Sequence, residues 1–191
     1  MTRELVRTTG AGARAVAPVA LAVGAFGVTF GVLARDAGLG PAAAVVFSAT
    51  TFAGSAQFAA ASVLAGGGTL AAAITAAILL NMRYIPIGLS VAPALTGPVW
   101  KHGLRAQLVV DESWAIGHLG GGRFDPARIL GAGVVLWCTW VSSTAVGVLA
   151  GDLLGDPARL GSTQPSPRSS SRCWRGRSRD AVASRQPSQG L

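Results

Sequence analysis

TLAAAITAAILLNMRYIPIGLSVAPAL, Thr69–Leu95, is the stretch that decides the fold. Crossing a bilayer as a helix takes about 20 consecutive apolar residues. This run is longer, and NMRYIP in its middle places an amide, a guanidinium and a proline where hydrocarbon would otherwise lie. Pro86 removes a backbone donor and biases Ile85 away from the helical conformation. The expectation is a membrane helix that is broken or kinked within NMRYIP.

The rest of the chain agrees with a membrane setting. Of 191 residues, 50% are hydrophobic and only 13% charged, with a mean hydropathy of +0.48. A soluble domain carries about 25% charged residues, so the supply of charge is too small to cover a soluble surface. The 26 glycines, with abundant alanine, suit helices whose backbones approach closely in lipid.

Four further runs flank the first. Ala15–Ala34 is without charge and follows Arg3, Arg7 and Arg14. It is longer than the core of a secretory signal, so it reads as a retained helix. Gly27 and Gly31 form a GxxxG pair suited to seating a neighbouring helix, although glycine is also simply common in membrane helices. Ala42–Leu64 reads as a second run after the breaker GLGP, and Ile129–Gly151 as the last, ended by Asp152 and Asp156. LRAQLVVDESWAIGHL, Leu104–Leu119, reads as a helix that Asp111 and Glu112 make a poor lipid-facing span. That gives five membrane elements. The positive-inside rule places the N-terminus in the cytoplasm.

The character changes after Gly161. Residues 1–161 hold 10 basic and 7 acidic side chains, whereas residues 162–191 hold 6 Arg, 1 Asp and 8 Ser with no apolar period. This segment reads either as a basic disordered tail or as an out-of-frame translation. Stepping GC-rich codons for it back by one base yields an apolar Ala- and Leu-rich string. The expected organisation is a membrane-embedded domain over 1–161, incomplete if the frame has shifted, and a tail over 162–191. Cys138 lies in an apolar run and Cys173 in the tail, so neither a disulfide nor a zinc site is expected.

Polar groups within the apolar runs are the candidate functional residues. FAGSAQFAAA, Phe52–Ala61, sets Ser55 and Gln57 among small side chains. An unpartnered amide in hydrocarbon costs several kcal/mol, so Gln57 must face other helices or a wet cavity. Interhelical glue and a substrate path both satisfy that. Arg83, near the centre of its run, costs about 2.5–3.5 kcal/mol on insertion scales unless paired or wetted. It either meets a substrate or snorkels to an interface beside Tyr84. Asn81 lies two residues before it, and helix breaks expose backbone groups that transporters use to hold charge. The neighbouring acids Asp111 and Glu112 are partners for Arg83, for a proton or for an ammonium, or else a solvated loop. Trp137, Thr139 and Trp140 either line a cavity or pack helices, and His118 is a lone titratable group.

Enzymatic signatures are missing. There is no GxxxxGK[ST] loop, no HExxH, no cysteine pair at metal spacing and no GxSxG elbow. The chain is therefore not expected to be an enzyme and needs no cofactor or metal. No nucleic-acid partner is expected.

FAGSAQFAAASVLAGG at 52–67, LLNMRYIPIGLSVAP at 79–93 and VVDESWAI at 109–116, in that order, resemble the AzlC family. The family's usual LVNLRH segment stands here as LLNMRY, and the DE pair is retained as Asp111–Glu112. The resemblance spans roughly 15–161. It implies an all-α polytopic bundle with broken helices in the bacterial inner (plasma) membrane. It also implies a permease subunit that exports branched-chain amino acids, working with a small AzlD-like membrane subunit as an ion-driven secondary transporter. Ser55, Gln57, Asn81, Arg83, Asp111 and Glu112 are then expected to line the path. The competing reading is a truncated, non-transporting membrane protein or helix-binding scaffold.

Overall fold

The computed structural model describes residues 2–154, with side-chain surroundings for 7–151. The expectations for the tail after Gly161 lie outside the described residues. Those residues are almost wholly helical: α1 (Thr2–Ala15), α2 (Ala17–Asp36), α3 (Pro41–Thr51), α4 (Gly54–Ala65), α5 (Leu70–Asn81), α6 (Tyr84–Val91), α7 (Val99–Ala106), α8 (Asp111–Gly117) and α9 (Pro126–Leu154). Between α8 and α9 sits a small antiparallel hairpin, β1 (His118–Gly120) with β2 (Arg123–Phe124). The all-α expectation holds.

The axis of the fold is the pair α2 and α9. Both are long and apolar enough to cross a membrane. α9 starts where its sequence says it should. The Asp125 carboxylate accepts the backbone N–H groups of Ala127 and Arg128, and Pro126 occupies the first helical position. The two helices run side by side in the same direction, with Gly24 against Thr139, Gly27 against Ser143 and Gly151 against Arg35. Glycine is what permits the approach. A Cβ at Gly31 would collide with the backbone of Thr144 and Gly147, and one at Gly147 with the backbone of Val28. The GxxxG expectation at Gly27 and Gly31 is thus met.

The second apolar run is not one helix. It splits at Phe52 and Ala53 into α3 and α4, which fold back on each other as a hairpin. Gln57 of α4 reaches Ser48 of α3, and Phe47 and Phe58 both pack on Phe30 of α2. The hairpin tip meets α9 at Trp137 and Trp140, halfway along that helix. The expected helix over 104–119 is also divided. α7 ends at Ala106, residues 107–110 form a second tip, and α8 begins at Asp111. Gln107 at this tip donates to the carbonyl oxygens of Ala49 and Thr50, which end α3. The Thr69–Leu95 run is broken as expected. α5 and α6 meet at Met82 and Arg83 with a 41° bend. Pro86 falls in the first turn of α6, where its missing N–H has no intrahelical partner to lose.

The outer surface is apolar. Leu21, Leu70, Leu79, Leu89, Leu104 and Leu149 are all more than 60% exposed. Hydroxyls on this surface turn back on their own helices: Thr29 bonds Ala25, Thr50 bonds Val46, Thr75 bonds Ala71 and Ser142 bonds Cys138. Such self-satisfaction is what a hydroxyl needs where water is absent. Non-helical backbone at that depth is tolerated only inside protein or beside a cavity, and the tips at 52–53 and 107–110 and the break at 82–83 converge in the interior.

Candidate functional site

The three interruptions surround one cavity of about 330 Å³. Arg83 projects into it from the α5–α6 break. Its Nη1 lies 3.0 Å from Oδ2 of Asp111, and its Nη2 donates to the Ser55 hydroxyl at 3.0 Å. The same nitrogen approaches the Tyr84 hydroxyl at 3.5 Å, and the guanidinium sits 5.2 Å from the centroid of the Tyr84 ring. The residues come from three places in the chain: Ser55 from the first turn of α4, Arg83 and Tyr84 from the break, Asp111 and Glu112 from the first turn of α8. Carboxylates in a first turn are favoured by the helix dipole.

The charges remain accessible. Arg83 and Asp111 keep 45% and 38% of their side-chain exposure, so the pair faces open space and is not sealed. Glu112 lines the same cavity and forms no ion pair among the described residues. The opposite wall is apolar, built from Val23 and Phe26 of α2, Phe58 of α4, and Leu136 and Trp140 of α9. Phe26 and Phe58 meet edge to face at 6.5 Å, as do Phe58 and Trp140 at 6.3 Å. The cavity thus offers a cation, two carboxylates and a hydroxyl on one side, and rings and aliphatic groups on the other.

Gln57 does not line it. The side chain is fully buried in a polar knot that joins α3, α4 and α9. Trp140 donates its indole N–H to Gln57 Oε1 at 2.9 Å, Gln57 Nε2 approaches the Ser48 hydroxyl at 3.4 Å, and Ser48 and Thr144 share a hydroxyl bond of 2.9 Å. Gln57 holds the cavity wall from behind, which is the glue reading of that residue. Asn81 stands apart from the Arg83 cluster. It lines a second cavity of about 310 Å³ and an apolar groove, and its Oδ1 is buried without a hydrogen bond. An acceptor left in that state costs about 1–3 kcal/mol. Phe52 carries a second local cost. Its φ of 38° is left-handed, a conformation that costs an L-residue about 1–2 kcal/mol. Of the six residues expected at a path, Ser55, Arg83, Asp111 and Glu112 are therefore gathered in one cavity, while Gln57 and Asn81 stand behind and beside it.

Ser48, Tyr84 and Gln107 are the members of this region that sequence reasoning did not place there. Tyr84 adjoins Arg83 in sequence, which was a usable signal. Gln107 carries none, because its partners lie 57–58 residues away, and Ser48 is tied to α9 by Thr144, 96 residues away. Trp137 and Trp140 do the packing expected of them, and Trp140 also lines the cavity. His118 stacks on Trp114 at the small hairpin, away from the cavity lining.

The AzlC protein family matches residues 18–154, the whole of the bundle that carries these groups. The chain belongs to the AzlC family. A protein of Archaeoglobus fulgidus, named as an uncharacterized membrane protein, is 34% identical over 137 residues, 72% of this chain and 60% of that one. The chain thus spans about three-fifths of the length of that relative. No solved structure matches this AzlC member. It is a membrane protein of a family generally linked to transport.

Proposed function

We propose that this AzlC member is a permease subunit, not an enzyme, and that it exports branched-chain amino acids from the bacterial cytoplasm across the inner membrane as a multi-pass protein. One observation carries the reading: the Arg83–Asp111 pair and the unpaired Glu112 share a cavity whose other wall is aromatic and aliphatic. A zwitterionic amino acid with a branched apolar side chain is complementary to that arrangement. Its carboxylate joins the Arg83 guanidinium, which presents several donors in a fork suited to carboxylates. Its ammonium lies between Glu112 and Asp111, and the Ser55 hydroxyl supports the Arg83 end. The side chain rests against Val23, Phe26, Phe58 and Trp140. The cavity is of the size that small-molecule sites occupy, from about 300 Å³ upward.

Arg83 and Asp111 neutralise each other without substrate, so the guanidinium is not left as a bare charge in hydrocarbon, and Glu112 faces the open cavity. Bound zwitterion adds one charge of each sign and keeps the balance. The further reading, a two-component secondary transporter driven by an ion gradient and working with a small AzlD-like membrane subunit, rests on the resemblance to the AzlC family.

The test is efflux from cells loaded with leucine through a leucine-containing dipeptide, with the small subunit co-produced. Arg83→Gln is expected to lower efflux at least tenfold at unchanged protein level in the membrane. Arg83→Lys, which keeps the charge and loses the fork, is expected to retain a small fraction. Efflux at the parental rate in Arg83→Gln rejects the reading.

A further inference from the structure

The second cavity is not used by this site. It has about the same volume as the first, and polar groups from three segments reach it: Thr51 at the end of α3, Asn81 at the end of α5, and His102 and Gln107 in and after α7. Its floor is set by Val91, Leu95 and Val109, which pack with Ile129 near the start of α9. The Arg83 cavity instead sits against the middle of α2 and α9. The linings of the two cavities share three residues, Phe52, Tyr84 and Val110.

Each of those residues stands at a chain interruption. Phe52 is the left-handed cap that ends α3, Tyr84 is the first residue of α6, and Val110 is the extended residue before α8. Phe52 and Val110 are buried, at 7% and 6% exposure. A side chain at such a point swings with its local backbone and leaves the neighbouring helical hydrogen bonds in place. Asn81, in the lining of the second cavity, has a buried Oδ1 acceptor without a partner.

We propose that the second cavity is the opposite vestibule of the same path, a second site for the amino-acid zwitterion, and that Phe52, Tyr84 and Val110 form the gate between the two. This rests on the transport reading above. The two cavities then open to opposite faces of the membrane, and the gate is closed in this structure. The vestibule takes the same class of ligand as the first cavity, through amide, hydroxyl and imidazole groups in place of an ion pair. It therefore holds the ligand more weakly than the Arg83 site.

Cysteine accessibility tests this in the full chain, in a Cys138→Ser, Cys173→Ser background, using a membrane-impermeant maleimide on intact cells and on inside-out vesicles. Ser55→Cys reports the first cavity. Gly88→Cys reports the second, where an added Cβ meets nothing within 4 Å. The expected result is labelling of the two positions from opposite faces, each at least tenfold faster than from the other face. Phe52→Ala is expected to open both positions to both faces, and Val110→Ala serves the same purpose if Phe52→Ala lowers the protein level. Labelling of both positions from the same face overturns the proposal, as does failure of Gly88→Cys to react from either face. Those failures leave the Arg83→Gln efflux result untouched, so the vestibule and the transport reading fall separately.

Discussion

At the scale of single residues, polar groups here divide by what satisfies them. Gln57 is completed inside the protein by Trp140 and Ser48. Gln57→Leu strands the indole N–H in a buried site, which costs about 1–3 kcal/mol. It is expected to lower the thermal midpoint in detergent, and so is Trp140→Phe, which leaves the buried Gln57 Oε1 without its donor. Arg83 is satisfied by a partner that can be exchanged. Asp111→Asn leaves the guanidinium without its carboxylate, so the protein level in the membrane should fall, within the about 2.5–3.5 kcal/mol that a lone arginine costs. Arg83→Gln with Asp111→Asn should restore the level and not the efflux, as immunoblots and transport on the same cells would show. The sequence made both residues conspicuous, since an amide and a guanidinium stand out in apolar runs. It did not separate them. Whether a polar side chain faces a cavity or a neighbouring helix depends on which residues lie across from it, and those are 83 and 28 positions away.

At the scale of elements, the close pair α2 and α9 depends on glycine more than on apolar area. Lipid offers no hydrophobic drive for helices to associate, so packing decides. Gly31→Leu places a side chain where the α9 backbone runs, at a cost of about 1–3 kcal/mol or more. It is expected to reduce the thermal midpoint and the yield of folded protein on size-exclusion chromatography. Gly103→Leu, at a site whose Cβ would meet nothing within 4 Å, is expected to do neither. GxxxG was legible in the sequence for this reason, as was the break near Arg83, which a proline and an asparagine announce. The break at Phe52 and Ala53 was not legible. Neither residue is a breaker by type, and it is the partners of α3, Gln107 and Trp137 on its last carbonyls, that let the helix end there. The division of 104–119 was missed likewise. Its 108–110 segment is held by the Ser113 hydroxyl, which bonds Leu108 and Val110.

At the scale of the whole molecule, one face of α9 looks outward along Val134, Cys138, Ser142, Val146 and Leu149. With Cys173→Ser in place, Cys138 is expected to react with a lipid-soluble maleimide in intact membranes and not with a sulfonated one. It should become reactive to both after solubilisation, as mass spectrometry would report. Equal reaction with the sulfonated reagent in membranes would place that face in water. Composition and run length determined the solvent and the element: too little charge and long apolar runs point to lipid, and apolar runs of about 20 residues span it as helices. The sequence also determined that Gln57 had to turn away from lipid, while it left Arg83 between the interior and an interface and Asp111 between the interior and a solvated loop. Which of them meet around open space was decided by the tertiary structure, because the tips at 52–53 and 107–110 and the break at 82–83 converge only once α3, α4, α7 and α8 have folded back halfway along α2 and α9. Local sequence sets where a helix is able to stop, and the groups that complete its free ends come from far along the chain.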